Sequence, residues 1–289
     1  MKYYRNFVSY KSNLDTIHEM VVETIKAKKQ FGQNFLHDEA VLRQIIEAIP
    51  KTNTKKIVEI GPGLGDLTTH LLNFNNVEAF EVDTDLCEHL GVRFKNELES
   101  SSFALNCGDV LQSWKRQNLV GYKYNLVANL PYYIATNIIL LALADEHCEA
   151  LTVMVQKEVA EKFAASPNTK PFSALSVIAQ SAGEVDMVFV VPPEAFNPAP
   201  KVDSAVLRIV KNKNCCDEKF KAMLRIAFTH PRKTLQKNLS SHYEKAKVID
   251  AIKALDLSET VRPHQVDVTN YHRLYMLFEG STDGFTREQ

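Results

Sequence analysis

The sequence has little cysteine, no long hydrophobic run and almost no net charge, and each shortage removes a class of explanation. Its cysteines, Cys87, Cys107, Cys148, Cys215 and Cys216, are odd in number, form no C-x-x-C pair and have no neighbouring His at metal-ligand spacing. No zinc site or disulfide framework is expected, and the adjacent Cys215 and Cys216 read as small residues of a linker in a reducing compartment. No stretch approaches a membrane-spanning length, and the first ten residues carry Lys2 and Arg5 without an apolar segment behind them. Neither a membrane partner nor a secretion signal is expected, so the sequence reads as cytoplasmic. With 289 residues, 45% hydrophobic and 24% charged, the chain can build two domains and a substantial core.

The formal net charge of −1 conceals an asymmetry. Between positions 211 and 247 ten Lys and Arg, including Arg232, Lys233 and Lys237, stand against Asp217, Glu218 and Glu244, a surplus of seven that leaves −8 on the remainder. An acidic body with a basic end is what a separate polyanion-binding module produces, although a solvated helical surface would look the same.

Along the chain, Asp38 is placed to cap a helix over 39–49. Strands are then expected over 56–60, 77–82, 103–107, 125–128 and 151–155, alternating with helices over 66–72, 85–98, 137–144 and 157–165. That rhythm implies an α/β fold with parallel strands and crossover helices. Two further strands, 185–191 and 204–210, flank a loop containing Pro192, Pro193, Pro198 and Pro200, a connection short enough for an antiparallel pair. Beyond 211 only helices are expected, over 218–228, 231–240, 244–255 and 270–278. Residues 1–27 show no clear partner pattern and are either flexible or, through Ile17, Met20, Val21, Val22 and Ile25, one apolar helical face.

The chemistry concentrates at strand ends. Gly61-Pro62-Gly63-Leu64-Gly65 follows the first strand of the alternating series and opens a helix, an arrangement that lets backbone approach a nucleotide-like ligand. A tight strand-to-helix turn needs the same glycines. Glu81, twenty residues beyond Gly61, ends the next strand, where a carboxylate can accept from both ribose hydroxyls. The G-x-G-x-G spacing leans toward S-adenosylmethionine over NAD. Asp109 follows the third strand, either reading an adenine amino group or capping the segment that begins at Val110.

Asn129-Leu130-Pro131-Tyr132 closes the next strand. It offers a side-chain carbonyl, exposed backbone carbonyls beside a residue without an N–H, and a flat aromatic face. These suit an exocyclic amine, although Asn and Pro are also common in ordinary turns. Because Gly61, Glu81, Asp109 and Asn129 all end strands of one parallel series, they are expected to face one crevice.

These motifs resemble the ribosomal RNA small-subunit adenine N6,N6-dimethyltransferases of the KsgA/RsmA type. The resemblance runs from Lys28 to Leu239. It includes Lys28-Lys29-Gln30-Phe31-Gly32-Gln33-Asn34-Phe35-Leu36, the glycine loop, Asn129 to Tyr132, Val155-Gln156-Lys157-Glu158-Val159-Ala160, Phe196-Asn197-Pro198-Ala199-Pro200-Lys201-Val202-Asp203-Ser204 and Arg232-Lys233-Thr234-Leu235. It implies a Rossmann-like methyltransferase domain over 28–211 and a small helical RNA-binding domain over 212–289. It implies S-adenosylmethionine held by Asn34, Leu36, Gly61, Glu81, Asp109 and Asn129, with Asn129, Pro131 and Tyr132 as catalytic residues. Tyr132 and Phe196 would flank the extruded base, Phe196 having core packing as its alternative.

The implied substrate is a pair of adjacent adenosines in a loop near the 3′ end of small-subunit rRNA, without a metal, in a reaction linked to ribosome biogenesis. Lys26, Lys28, Lys29 and the basic end would track phosphates. Tyr133, where Asn is common, Phe172 and Ser173, where Tyr-Gly is usual, and Pro231, where Arg is expected, depart from the pattern. The alternatives are a large-subunit rRNA adenine methyltransferase on the same fold, a non-catalytic ribosome-assembly factor and, more distantly, an NAD-dependent dehydrogenase.

Overall fold

A computed structural model describes residues 27–28, 31–52, 54, 56–114, 118–212 and 217–279. The helical face suggested at Ile17 to Ile25, together with Lys26, Lys29, Cys215 and Cys216, lies outside them.

Strand β1 (Phe35–Leu36) leads into helix α1 (Glu39–Ala48), where Asp38 accepts from the backbone N–H groups of Ala40 and Val41. The alternating series follows: β2 (Lys56–Ile60), α2 (Asp66–Leu72), β3 (Asn76–Glu81), α3 (Thr84–Arg93), α4 (Lys95–Glu99), β4 (Phe103–Cys107), α5 (Val110–Ser113), β5 (Tyr124–Asn129), α6 (Ala135–Ala144), β6 (Cys148–Gln156), α7 (Lys157–Ala164), α8 (Ala174–Ala182) and β7 (Gly183–Val191). The short β8 (Phe196–Asn197) and the long β9 (Ser204–Lys211) complete the strands. Helices α9 (Glu218–Ala227), α10 (Leu235–Leu239), α11 (Lys245–Ala254) and α12 (Val268–Glu279) follow.

The main sheet has the order β4-β3-β2-β5-β6-β9-β7. The first five strands in that order are parallel, while β9 runs antiparallel to both β6 and β7. The chain winds outward from β2 through β3 to β4, then returns to lay β5 on the other side of β2. That reversal opens a crevice at the carboxyl ends of β2 and β5, where ligands of open α/β sheets bind. The central strands β2, β5 and β6 are buried almost throughout, as a sheet covered on both faces requires.

The long helix expected over 85–98 is two pieces, because Phe94 leaves helical geometry with ψ at 31° and turns its ring onto Phe103. Cys87 on α3 and Cys107 at the end of β4 form a disulfide, which corrects the expectation of none. They are 20 residues apart, yet α3 packs back along β4 and brings their Cα atoms to 6.1 Å.

After β9 the chain is helical, and the apolar faces of α9 to α12 join the cluster that also holds β5, β6, α6 and α8. Phe220, Leu224, Tyr271 and Leu274 belong to that cluster, so these helices are seated on the sheet domain through a shared core. No helix among the described residues is long and apolar enough to cross a membrane. Among the same residues no cluster of His, Cys, Asp and Glu could hold a metal ion.

Candidate active site

A cavity of about 350 Å³ occupies the crevice at the β2/β5 reversal. Asn34, Leu36, Gly61, Glu81, Asp109, Asn129, Pro131 and Tyr132 all line it, so eight of the residues singled out from the sequence share one wall. Phe196 does not. Its ring is 3% exposed, packed in the core with Leu36, Met154 and Val206, because β8 pairs with β1 and turns the ring inward. The expectation that Phe196 offers a free face to a base is therefore corrected to core packing in this arrangement. The aromatic side chains of Phe31 and Tyr133 line the cavity instead, and Tyr133 is 61% exposed.

The floor is the glycine loop. Gly61, Gly63 and Gly65 adopt φ of 69°, 61° and 91°, a region that L side chains rarely enter. At Gly65 the space is closed as well, since a Cβ would lie 2.5 Å from the Phe94 ring. The loop is pinned by its neighbours: the Gly61 N–H donates to the Phe80 carbonyl at 2.9 Å, and the Gly63 N–H to Glu81 Oε2 at 3.2 Å.

Glu81 is buried at the end of β3, and its Oε1 accepts from the backbone N–H groups of Val82 and Asp83, both at 2.9 Å. Burial raises its pKa above the ordinary carboxylate value, an effect that the three N–H donors oppose. Asp109 is exposed and caps α5, with Oδ1 accepting from the Leu111 N–H at 2.9 Å. Both roles suggested by its sequence position are compatible, for one carboxylate can cap a helix and border a cavity.

Asn129 donates from Nδ2 to the Asn34 carbonyl at 3.1 Å, which leaves its Oδ1 as the acceptor end of the amide. The Pro131 carbonyl already accepts from the Ile134 N–H at 3.1 Å, so of the two backbone acceptors in the motif Leu130 is the better candidate. The Tyr132 hydroxyl meets Ser204 Oγ at 2.8 Å, which ties the tip of its ring to β9.

The segment 31–36 is a strap across the cavity, and its anchor was not legible from the sequence. Lys28 Nζ lies 2.6 Å from Asp83 Oδ1 and 2.7 Å from Asp85 Oδ2, and Gln33 Nε2 donates to Asp83 Oδ2 at 2.9 Å. Lys28 thus fastens the strap, its ammonium engaged by two carboxylates of the body. Burial opposes ionisation of Asp83, but the donors Lys28, Gln33 and the Asp85 N–H outweigh it and hold the carboxyl below its ordinary range.

The basic end is also partly occupied. Lys219 pairs with Glu279, Lys221 and Arg225 with Glu218, and Lys247 donates to the Phe278 carbonyl. Arg232, Lys233, Lys237 and Lys245 are exposed.

Two cavity acids went unnoticed as such in the sequence, Glu59 and Asp66. Both flank the glycine loop, Glu59 just before it on β2 and Asp66 just after it at the start of α2, so counting charge around that loop finds them. The cavity wall carries Glu59, Asp66, Glu81 and Asp109 and, among the described residues, no Lys, Arg or His. Such a wall suits a cationic nucleoside and repels a pyrophosphate.

The strand order, the glycine loop and the position of the cavity define a Rossmann-like methyltransferase. Two solved structures share the fold: a dimethyladenosine transferase from Plasmodium falciparum and the 23S rRNA methyltransferase ErmE. The first has a TM-score of 0.70 at 24% identity over 83% of this chain and 95% of its own. The second has a TM-score of 0.67 at 23% identity over 85% of this chain and 100% of its own. At these identities the likeness concerns the fold alone.

A family profile described as ribosomal RNA adenine dimethylase matches residues 24–279, and the chain belongs to that family. Among curated relatives, the ribosomal RNA small subunit methyltransferase A of Sulfurimonas denitrificans is 56% identical over 268 residues, covering 93% of this chain and 99% of its own. The protein of the same name from Campylobacter jejuni is 47% identical, covering 87% of this chain and 94% of its own.

Proposed function

We propose that the protein transfers methyl groups from S-adenosylmethionine to the N6 amines of two adjacent adenosines near the 3′ end of small-subunit rRNA. Dimethyladenosine is the product, formed in a ribosomal or pre-ribosomal particle. The observation that carries the proposal is the meeting, in one cavity, of a wall whose charged residues are all acidic with the Asn129 to Tyr132 motif. Relatives named as small-subunit methyltransferases favour this substrate over the large subunit.

The residues fit a sulfonium nucleoside. Glu81 would hold the ribose, Asp109 the adenine, and Asn34, Leu36 and Gly61 would enclose the remainder. The bound donor supplies an activated methyl group, so no metal is needed to create the electrophile.

The protein has to supply the nucleophile. The adenine amine is weak because its lone pair is delocalised into the ring. Asn129 Oδ1 and the Leu130 carbonyl, as two acceptors for the amine hydrogens, favour a pyramidal nitrogen whose lone pair is localised. The Tyr132 ring, held by Ser204, gives the extruded base a stacking face and sets its approach. Arg232, Lys233 and Lys237 would contact phosphates without reading bases.

Labelled S-adenosylmethionine offered with unmodified small and large subunits separately tests the assignment. Label should enter small-subunit rRNA as dimethyladenosine. Label confined to the large subunit overturns the substrate, and no cofactor binding by calorimetry favours a non-catalytic assembly role.

A further inference from the structure

Glu59 is a buried acid that the methyl-transfer chemistry leaves unused. It lies on β2 two residues before Gly61, is 1% exposed, and borders the cavity from beneath the glycine loop. Its Oε2 accepts one hydrogen bond, 2.7 Å from the Thr68 hydroxyl on α2. The charged groups around it come from three sides. Asp66 on α2 and Glu81 on β3 repel a negative charge there, and Asp109 adds a further carboxylate to the same wall.

Arg93 on α3 is a cation acting on Glu59, and it is already committed to Asp66, 3.0 Å away, and to the Leu64 carbonyl. His89 on α3 also reaches the Leu64 carbonyl on the loop. Burial, with like charges adding to it and Thr68 only partly offsetting it, pushes the carboxyl up to about 8. In the cofactor-free protein near neutrality Glu59 is therefore a neutral acid facing a cavity whose other acids favour a cation.

We propose that Glu59 is a proton-linked counter-charge for the cofactor: it loses its proton to solvent when S-adenosylmethionine enters, and regains it when the site empties. The inference rests on the cofactor reading above and adds to it a residue and a thermodynamic coupling. A cationic ligand lowers the pKa of a carboxyl it faces, and linkage then requires affinity to rise with pH across the range in which the proton is displaced. The empty cavity avoids the full repulsion of its acids, and the occupied cavity has the extra negative charge.

Calorimetric titration of S-adenosylmethionine in buffers of different ionisation enthalpy counts the protons. The native protein should release roughly one proton per cofactor at pH 7, declining toward none above about pH 9. Its affinity should rise by up to about tenfold per pH unit between pH 6 and 8. In Glu59→Gln the release should fall to whatever the cofactor's own amine contributes, and the slope of affinity against pH should flatten.

Thr68→Val guards against a variant that merely folds poorly. Removing the hydroxyl that supports the ionised form should move the release curve to higher pH. Release that persists in Glu59→Gln, or a curve unmoved in Thr68→Val, overturns the proposal. Tight binding with no proton released overturns it while leaving the function intact, whereas absence of binding overturns the cofactor reading itself.

Discussion

The Asn129 amide donates to the Asn34 carbonyl at 3.1 Å, so the end of β5 and the strap over the cavity are held by one side chain. The bond orients the amide, because only its carbonyl end remains to meet a substrate amine. Asn129→Ala should lower kcat by about a hundredfold or more, the scale of losing one aligned polar group at a reacting centre. RNA affinity should be unchanged. Single-turnover methylation alongside RNA-binding titrations checks the split, and near-native turnover would refute the assigned role.

The Tyr132 ring and its hydroxyl should be separable. Tyr132→Phe loses only the contact with Ser204, so a drop of roughly fivefold in kcat/KM is expected, about 1 kcal/mol of positioning. Tyr132→Ala also loses the stacking face, on the order of 1–3 kcal/mol, and should raise the KM for RNA more than that for the cofactor. Steady-state kinetics with each substrate varied in turn distinguishes the two.

Asp83 ties the strap to the body through both Lys28 and Gln33. Asp83→Asn removes the charge that holds Lys28, and should speed hydrogen exchange of the backbone amides over 31–36 while exchange in β5 and β6 stays slow. Cofactor dissociation should quicken a few-fold. Exchange mass spectrometry of the cofactor-free protein reads the first effect, and unchanged protection in the strap would count against the anchor.

Glu59 also predicts a stability profile. Its folded value of about 8 lies above the ordinary carboxylate value of 4.5, so the native state holds the proton more tightly than the unfolded chain does. The resulting contribution is full below pH 4.5 and declines as pH rises to about 8. Cofactor-free Glu59→Gln lacks that decline, so between pH 5 and pH 8.5 it should gain on the native protein by a few kcal/mol at most. Denaturant unfolding at those two pH values measures the difference, and parallel profiles would contradict it.

Much of this site could be read from residue order because long parallel strands announce themselves. Val58 to Ile60, Phe80 to Glu81 and Leu126 to Asn129 are apolar runs that end in polar or glycine residues, and the sheet rule sends those ends to one crevice. The two-residue strands β1 and β8 are too short to show a period, and their pairing is what buries Phe196. Helix α8 was missed because Ser176, Val177, Ala179, Ser181 and Ala182 are all buried, leaving no clean polar stripe to count. The disulfide joins residues on different elements, which spacing alone does not report. Glu59 passed as a letter of the glycine motif, and its acidity became visible only with the carboxylates around it.

The pairing of β1 with β8 has a mechanical consequence. Phe35 and Leu36 belong to the strap over the cofactor cavity, while Phe196 and Asn197 open the proline-rich loop that leads to β9. Lifting the strap means unzipping that ladder or carrying the loop along. Opening the cavity is then geared to that loop, and the strap and the approach to β9 share one hinge.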